Sequence, residues 1–190
     1  VIGCSIGCSY CYARMNNNRF HTIDDFNKPV FFENKLKMLD NKRHTAYLLT
    51  GQSDLSGWNE EWKDKVFSKM KENENTQYIF LTKRPENIKL KETPDNGWFG
   101  VTVTSSKEKT RIDYLRNNIK AKHYHITFEP MFDDVGKLDL SNISWIVIGT
   151  ETGNRKGKIS SKREWVFNIY NQAKEKNIPV FMKEVWSRIS

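Results

Sequence analysis

The sequence predicts an α/β fold in which repeated β-α units surround a parallel sheet or barrel. Six short runs rich in β-branched and aromatic residues recur along the chain, at residues 45–50, 77–82, 98–103, 123–128, 144–149 and 178–182. Polar segments with a helical period follow several of these runs. Because most runs are apolar with little alternation, we expect strands that are covered on both faces.

Three apolar stripes predict the helices that pack on this sheet. The first contains Trp62, Val66, Phe67 and Met70, the second Ile112, Leu115 and Ile119, and the third Trp165, Ile169 and Ala173. Two serine–glutamate pairs have the spacing of a capping box, namely Ser105 with Glu108 and Ser161 with Glu164. We therefore expect helices to begin directly after these serines.

Polar residues follow nearly every predicted strand. They are Gln52, Ser53 and Asp54; Lys83 and Arg84; Thr102 and Thr104; Glu129; Thr150, Glu151 and Thr152; and Lys183 and Glu184. In β/α barrels the carboxyl ends of the strands form the mouth of the active site. The sequence thus predicts a site at this edge of the sheet.

Length and composition narrow the class of protein. With 190 residues the chain has room for one domain, spanning residues 1–190, with a sizeable core. Its cysteine motif begins three residues after Val1, so we expect the first strand to be largely truncated. No apolar run reaches the length of about 18 residues that spans a bilayer, which indicates a soluble, cytoplasmic protein without a membrane partner. The formal charge of +8 favours an anionic partner such as nucleic acid.

The most specific motif is a loop with three cysteines. Cys4, Cys8 and Cys11 have the spacing C-x3-C-x2-C and are the only cysteines of the chain. Three thiols within eight residues make no orderly disulfide framework, but they suit three irons of a four-iron, four-sulfur cluster. The fourth iron stays open, and the amino and carboxylate groups of S-adenosylmethionine (SAM) can chelate it.

A structural zinc site is the alternative. Zinc would be bound by the three thiolates and one histidine, and the sequence offers His21, His44, His123 and His125. Structural zinc ligands usually come as two separated pairs, whereas these thiols lie in one loop. The cluster is therefore the preferred interpretation.

The motif resembles the signature of radical-SAM enzymes. The loop has the aromatic Tyr10 before Cys11, and the run Gly7–Arg14 followed by Arg19 and Phe20 is similar to phage- and mobile-element-associated radical-SAM proteins. These resemble spore photoproduct lyase, which reverses a thymine photodimer in DNA. The resemblance covers nearly the whole chain and implies a partial (β/α)6-type radical-SAM barrel.

The resemblance also implies site residues. By analogy with the lyase, Ser53 and Asp54 receive the SAM amino group, although Gly51-Gln52-Ser53-Asp54 replaces the usual Gly-Gly-Glu segment. Lys83 pairs with the methionine carboxylate. Further expected cofactor contacts are Tyr10, Thr102, Thr104 and Glu129. Thr102 and Thr104 fit a strand equally well without a function. Glu129, like Glu151, fits a salt bridge at the mouth as well as a ligand contact.

The activity implied is reductive cleavage of SAM at the cluster, which yields methionine and a 5′-deoxyadenosyl radical that abstracts hydrogen from a substrate. An electron donor such as flavodoxin or ferredoxin is then required. Nucleic acid repair or modification is the expected reaction. Candidate phosphate contacts are Arg14, Arg19, Arg84, Arg111 and Arg155, which fit ordinary exposed or ion-paired side chains as well. Trp58 is a candidate base-stacking surface or, alternatively, a loop anchor packed on the core.

Two other readings stay open. A radical-SAM enzyme could act on a peptide, a nucleoside or a small molecule, and a non-catalytic regulatory protein could keep the cluster without turnover. The catalytic residue is unknown. Since all three cysteines are committed to iron, Tyr12 is the weak in-chain candidate for returning a hydrogen atom to the product.

Overall fold

The computed structural model describes residues 1–41, 43, 45–152 and 155–183. These residues contain six strands: β1 (Ala46–Leu48), β2 (Gln77–Thr82), β3 (Gly97–Thr102), β4 (His123–Phe128), β5 (Ile143–Ile148) and β6 (Val180–Met182). They also contain four α-helices: α1 (Tyr12–Phe20), α2 (Glu60–Glu72), α3 (Thr110–Asn118) and α4 (Arg163–Glu175).

The strands form one parallel sheet in the order β1-β2-β3-β4-β5-β6. The sheet curls into a half-barrel, so the predicted α/β class and a partial barrel are confirmed. The four inner strands match the predicted ranges to within one residue. Strand β1 is shorter than predicted because the Thr50 hydroxyl, rather than a backbone carbonyl, accepts the Leu81 N–H at 2.7 Å.

The core lies between the sheet and its helices. Phe80 and Phe99 stack at 4.8 Å on neighbouring strands, and Phe67 of α2 packs edge-on against both. All three predicted apolar stripes face this core, and Met70, Leu115 and Ile169 are fully buried. The expectation of strands covered on both faces holds for β3 and β4 but is wrong for β2, where buried residues alternate with half-buried ones.

Neither predicted capping box forms. Helix α4 begins after Lys162, and the Ser161 hydroxyl donates to the Met131 carbonyl at 3.1 Å instead of capping the helix. After β3, Glu108 accepts from the N–H and hydroxyl of Thr104, one residue before the predicted cap. Ser161 in one box and Glu108 in the other bond to different partners, which sequence spacing does not reveal.

The segment before the thiols contains isolated bridges. Ile2 pairs antiparallel with Val30, and Gly3 pairs parallel with Ser53. Gly3 has a φ of +110°, and a Cβ there would lie 2.9 Å from the Pro29 Cα, so this close approach requires glycine. Among the described residues, no helix is both long and apolar enough to cross a membrane.

Candidate functional site

The cysteine loop lies at the carboxyl edge of the sheet. The Gly3 N–H donates to the Gln52 carbonyl at 3.0 Å, which fixes the start of the loop beside the segment that follows β1. At the other end, Cys11 is the N-cap of α1, and its sulfur accepts the Arg14 N–H at 3.4 Å. The predicted mouth and the predicted metal ligands therefore meet at one place.

All three thiols are free and half-buried. Burial is the main cause that raises the pKa of Cys4, and the charges of Asp54, Cys11 and Cys8 add to it, while the Ile6 N–H acts in the opposite direction. The thiols thus lie near enough to feel one another. Three soft donors on one loop are the donor set that an iron–sulfur cluster takes.

The described histidines lie away from this loop. His21 ends α1, a nine-residue helix and thus roughly 13 Å from Cys11 along the axis. His123 begins β4 at the opposite edge of the sheet, and the buried His125 bonds the Phe80 carbonyl at 3.1 Å. His44 lies outside the described residues. Within them, no three His, Cys, Asp or Glu side chains converge as around a single ion.

Tyr10 connects the cysteine loop to the mouth. Its ring packs edge-on against Phe132 at 5.4 Å, and the Lys83 ammonium lies 5.7 Å from the ring centroid. Burial raises the pKa of the Tyr10 phenol, and the charge of Cys8 raises it further. Tyr10 therefore stays neutral and orders the loop. No motif or periodicity pointed to Phe132, which lies in an irregular segment.

Asp54 ties the segment after β1 to the end of β2. Its carboxylate accepts the Ser56 N–H at 2.9 Å, the Ser56 hydroxyl at 2.7 Å, the Thr82 hydroxyl at 2.6 Å and the Lys83 N–H at 2.8 Å. Three of these donors share Oδ1 and only the Lys83 N–H bonds Oδ2, so Oδ2 keeps an acceptor position. Asp54 is therefore a positioning residue for Lys83 that retains one oxygen for a cationic group such as an amino group.

Ser53 and Trp58 form a second contact in the same segment. The Trp58 indole N–H donates to the Ser53 hydroxyl at 3.0 Å. Trp58 is only 5% exposed and packs edge-on against Phe80 at 5.9 Å. The expectation that Trp58 offers a base-stacking surface is therefore wrong, because the indole is part of the core.

Lys83 differs from the other charged groups of the mouth. Its ammonium lies 3.4 Å from the Thr102 hydroxyl, and among the described residues it has no carboxylate partner. In contrast, Glu129 pairs with Lys183 at 2.6 Å. Glu129 lies across Gly149, where a Cβ would come within 3.0 Å of its carboxyl group. Lys83 thus brings to the mouth an ammonium group that pairs with no carboxylate among the described residues.

The predicted polar residues of the neighbouring strands also lie at this edge. Thr102 is buried, and its carbonyl accepts from Arg111 at 2.8 Å. Thr104 is buried as well, and its hydroxyl donates to Glu108. Tyr12 begins α1, is exposed, and donates its phenolic hydrogen to the Gly51 carbonyl.

Three of the five candidate arginines already have partners. Arg14 donates to the Cys4 carbonyl at 2.9 Å, Arg111 pairs with Glu108 at 2.8 Å, and Arg155 donates to the Glu151 carboxylate at 2.7 Å. These three guanidinium groups stabilise contacts within the fold and are not free phosphate contacts. Arg19 remains exposed and Arg84 half-buried.

Fold and site together define an α/β half-barrel protein with three free thiols at its carboxyl edge and a lysine there that pairs with no carboxylate among the described residues. A family model described as a protein of unknown function (DUF5131) matches residues 1–189, and the chain belongs to that family. Neither a curated protein nor a solved structure matches the chain.

Proposed function

We propose that the chain is a radical-SAM enzyme that holds a [4Fe-4S] cluster and reductively cleaves SAM. The observation that carries the proposal is the position of the three free thiols, on one loop at the carboxyl edge of a parallel half-barrel. Catalytic groups of β/α barrels lie at this edge. The donor set fits a cluster, because each thiolate of a cubane binds a different iron and the thiols need not converge on one point.

Cys4, Cys8 and Cys11 would hold three irons. When bound, the reduced cluster supplies the single electron that splits SAM into methionine and a 5′-deoxyadenosyl radical. Lys83 offers a charge for the methionine carboxylate, and Asp54 fixes its backbone at 2.8 Å. Tyr10 and Phe132 cover one side of the loop and exclude water there.

The substrate we propose is nucleic acid, in a repair or modification reaction, and the electron donor a small redox protein such as flavodoxin or ferredoxin. The basic balance of the chain supports an anionic substrate. Unpaired thiols suit a reducing compartment, so we place the protein in the cytoplasm.

The test is anaerobic reconstitution of the chain with iron and sulfide, followed by dithionite and SAM. We expect 5′-deoxyadenosine in the product mixture, measured by liquid chromatography with and without DNA. The null variant replaces all three cysteines by alanine. The matched control is Ser9→Ala, which changes an exposed residue of the same loop and should retain activity.

The outcomes separate the competing functions. No 5′-deoxyadenosine from a fully loaded cluster would support a regulatory protein and refute the enzyme. Cleavage that DNA does not change, while a peptide, nucleoside or small molecule raises it, would favour the second enzyme reading.

A further inference from the structure

A strongly basic loop connects β5 to α4. Residues 155–163 read RKGKISSKR, and five of these nine are Lys or Arg with no acidic residue among them. We call this segment the basic loop. Lys156, Lys162 and Arg163 are exposed. Such a density of one charge in nine residues is a candidate interaction surface.

The basic loop returns to the mouth of the half-barrel. Ser161 donates its N–H to the Thr150 hydroxyl at 3.2 Å and its hydroxyl to the Met131 carbonyl at 3.1 Å. The next residue after Met131 is Phe132, whose ring packs on Tyr10 of the cysteine loop at 5.4 Å. A short chain of contacts therefore joins the basic loop to the thiols, and both lie at the same edge of the sheet.

Within the basic loop, Arg155 is held by an ion pair, whereas Lys162 and Arg163 are exposed to solvent. Arg155 donates to the buried Glu151 carboxylate, and this guanidinium lowers the pKa of Glu151. Lys162 and Arg163 lie over the rings of Trp165 and Phe167, at 5.5 and 5.3 Å, which holds their charges above the first turn of α4. The ion pair of Lys162 with Glu164 is long, at 3.9 Å, and solvent-exposed.

Two carboxylates of the mouth pair with cations outside the basic loop. Glu108 pairs with Arg111 at 2.8 Å, and Glu129 with Lys183 at 2.6 Å. Asp133 accepts from the N–H and hydroxyl of Ser106, at 2.7 and 2.9 Å. Glu108 and Glu129 are thus neutralised by cations outside the basic loop, whereas Asp133 keeps its negative charge, so the exposed cations of the loop outnumber the unpaired acids among these three.

We infer that the basic loop binds the sugar–phosphate backbone of a nucleic acid and holds the strand across the mouth. Three of its cations, Lys156, Lys162 and Arg163, lie on exposed side chains within eight residues, which suits a row of phosphates better than one enclosed phosphate. The inference rests on the proposed function in one respect only, since it names the surface by which that enzyme would hold its substrate.

The experiment compares two double variants of the cluster-loaded chain. Lys156→Ala with Lys162→Ala removes two charges at the mouth. Lys174→Ala with Lys176→Ala removes two exposed charges at the other end of α4, at the amino edge of the sheet. Both pairs change the net charge equally. Binding of a fluorescent single-stranded oligonucleotide is measured by anisotropy between about 50 and 200 mM salt.

We expect the mouth variant to bind about 2- to 30-fold more weakly at the low salt concentration. The slope of log affinity against log salt should fall in magnitude by about 1.4, which is two phosphate contacts to a single strand. The control variant should keep the wild-type slope. Equal losses in the two variants, or no binding by the wild type at low salt, would overturn the inference.

A second readout separates this inference from the proposed function. SAM cleavage by dithionite without any oligonucleotide should be the same in the wild type and in both variants. If the wild type binds the strand through the basic loop but yields no 5′-deoxyadenosine, the enzyme proposal fails and the surface stands. If cleavage occurs and the mouth variant binds normally, the surface fails and the enzyme stands.

Discussion

The two edges of the sheet differ in whether their polar groups have partners within the chain. At the amino edge, Trp98 stacks on His123 at 4.4 Å, and the Asn96 amide donates to three carbonyls, of Met70, Asn73 and Thr76. At the carboxyl edge, three thiols stay free, and Lys83 has no carboxylate partner among the described residues. An unpaired charge and free thiols that are partly removed from water lower the stability of a fold. Such groups are therefore expected where a ligand binds.

This contrast makes a rule that can be broken. Substitutions at the carboxyl edge should alter ligand binding and leave the free energy of unfolding nearly unchanged. Substitutions elsewhere in the sheet should alter the free energy of unfolding and leave ligand binding nearly unchanged. Asp54 is the informative exception, because it lies at the carboxyl edge yet its carboxylate is buried and satisfied within the chain.

The largest effect is expected at the thiols. Cys4→Ala, Cys8→Ala and Cys11→Ala should each abolish the four-iron cluster, because the chain holds no other cysteine to replace the lost ligand. Iron and sulfide analysis with the visible absorption band measures this, with Ser9→Ala as the loop control. Normal metal content in any one of the three cysteine variants would contradict the ligand assignment.

The second-largest effect is expected at His125 in the middle of the sheet, and it concerns how stability depends on pH. Burial lowers the pKa of His125 to about 4 from 6.5, so between these values the unfolded chain binds more protons than the folded chain. Stability should therefore fall as pH falls from 6.5 towards 4, by on the order of 3 kcal/mol in total. Gln in place of His125 keeps a donor for the Phe80 carbonyl and removes this dependence.

The measurement is urea unfolding at about pH 7.5 and about pH 5. His123→Gln is the matched control on the same strand; His123 is only half-buried, and the protein should keep most of its pH dependence without it. An unchanged pH dependence in His125→Gln would mean that other groups titrate in this window.

A smaller effect separates Lys83 from Asp54. Lys83→Ala should weaken SAM binding by about 10- to 100-fold, since it removes a half-buried charge contact to the ligand. It should leave the free energy of unfolding nearly unchanged, because Lys83 pairs with no carboxylate among the described residues. Asp54→Ala should weaken SAM binding as well, but it also leaves the Thr82 hydroxyl and Lys83 N–H without an acceptor. That loss should lower the free energy of unfolding by about 1 to 3 kcal/mol.

Calorimetric titration measures the SAM affinity of both variants, and urea unfolding measures their free energy of unfolding. Unchanged SAM affinity in both variants would refute this placement of the methionine group. Equal destabilisation of both would remove Asp54 as the exception to the rule.

The sequence predicted the sheet better than it predicted the site. Strand positions follow from local apolar runs, and the inner strands agree to within one residue because each is held between two partners. The sequence predicted the mouth and the cysteine loop separately, and the Gly3–Gln52 backbone bond of the fold brings them together. Local spacing could not predict that Ser161 bonds Met131, and it could not decide between a base-stacking and a core position for Trp58.

The roles of the charged residues were also beyond the sequence. Arg155 and Arg111 look like free cations until the fold brings Glu151 and Glu108 against them. Asp54 looks like a ligand contact alone until the fold shows that its carboxylate also accepts four hydrogen bonds within the chain. Burial and pairing decide which charges remain available, and both depend on contacts between segments that are distant in the chain.

The smallest effect is expected at Tyr12, the in-chain candidate for returning hydrogen to a product. Its phenolic hydrogen is donated to the Gly51 carbonyl, so the group anchors α1 to the segment after β1 instead of presenting a free O–H. We therefore expect Tyr12→Phe to lower the free energy of unfolding by about 0.5 to 1.5 kcal/mol and to leave the product distribution unchanged. Turnover in deuterated solvent, once a substrate is in hand, compares the two chains. A changed pattern of deuterium in the product of Tyr12→Phe would show that the Gly51 contact opens during turnover and that Tyr12 belongs to the reacting groups.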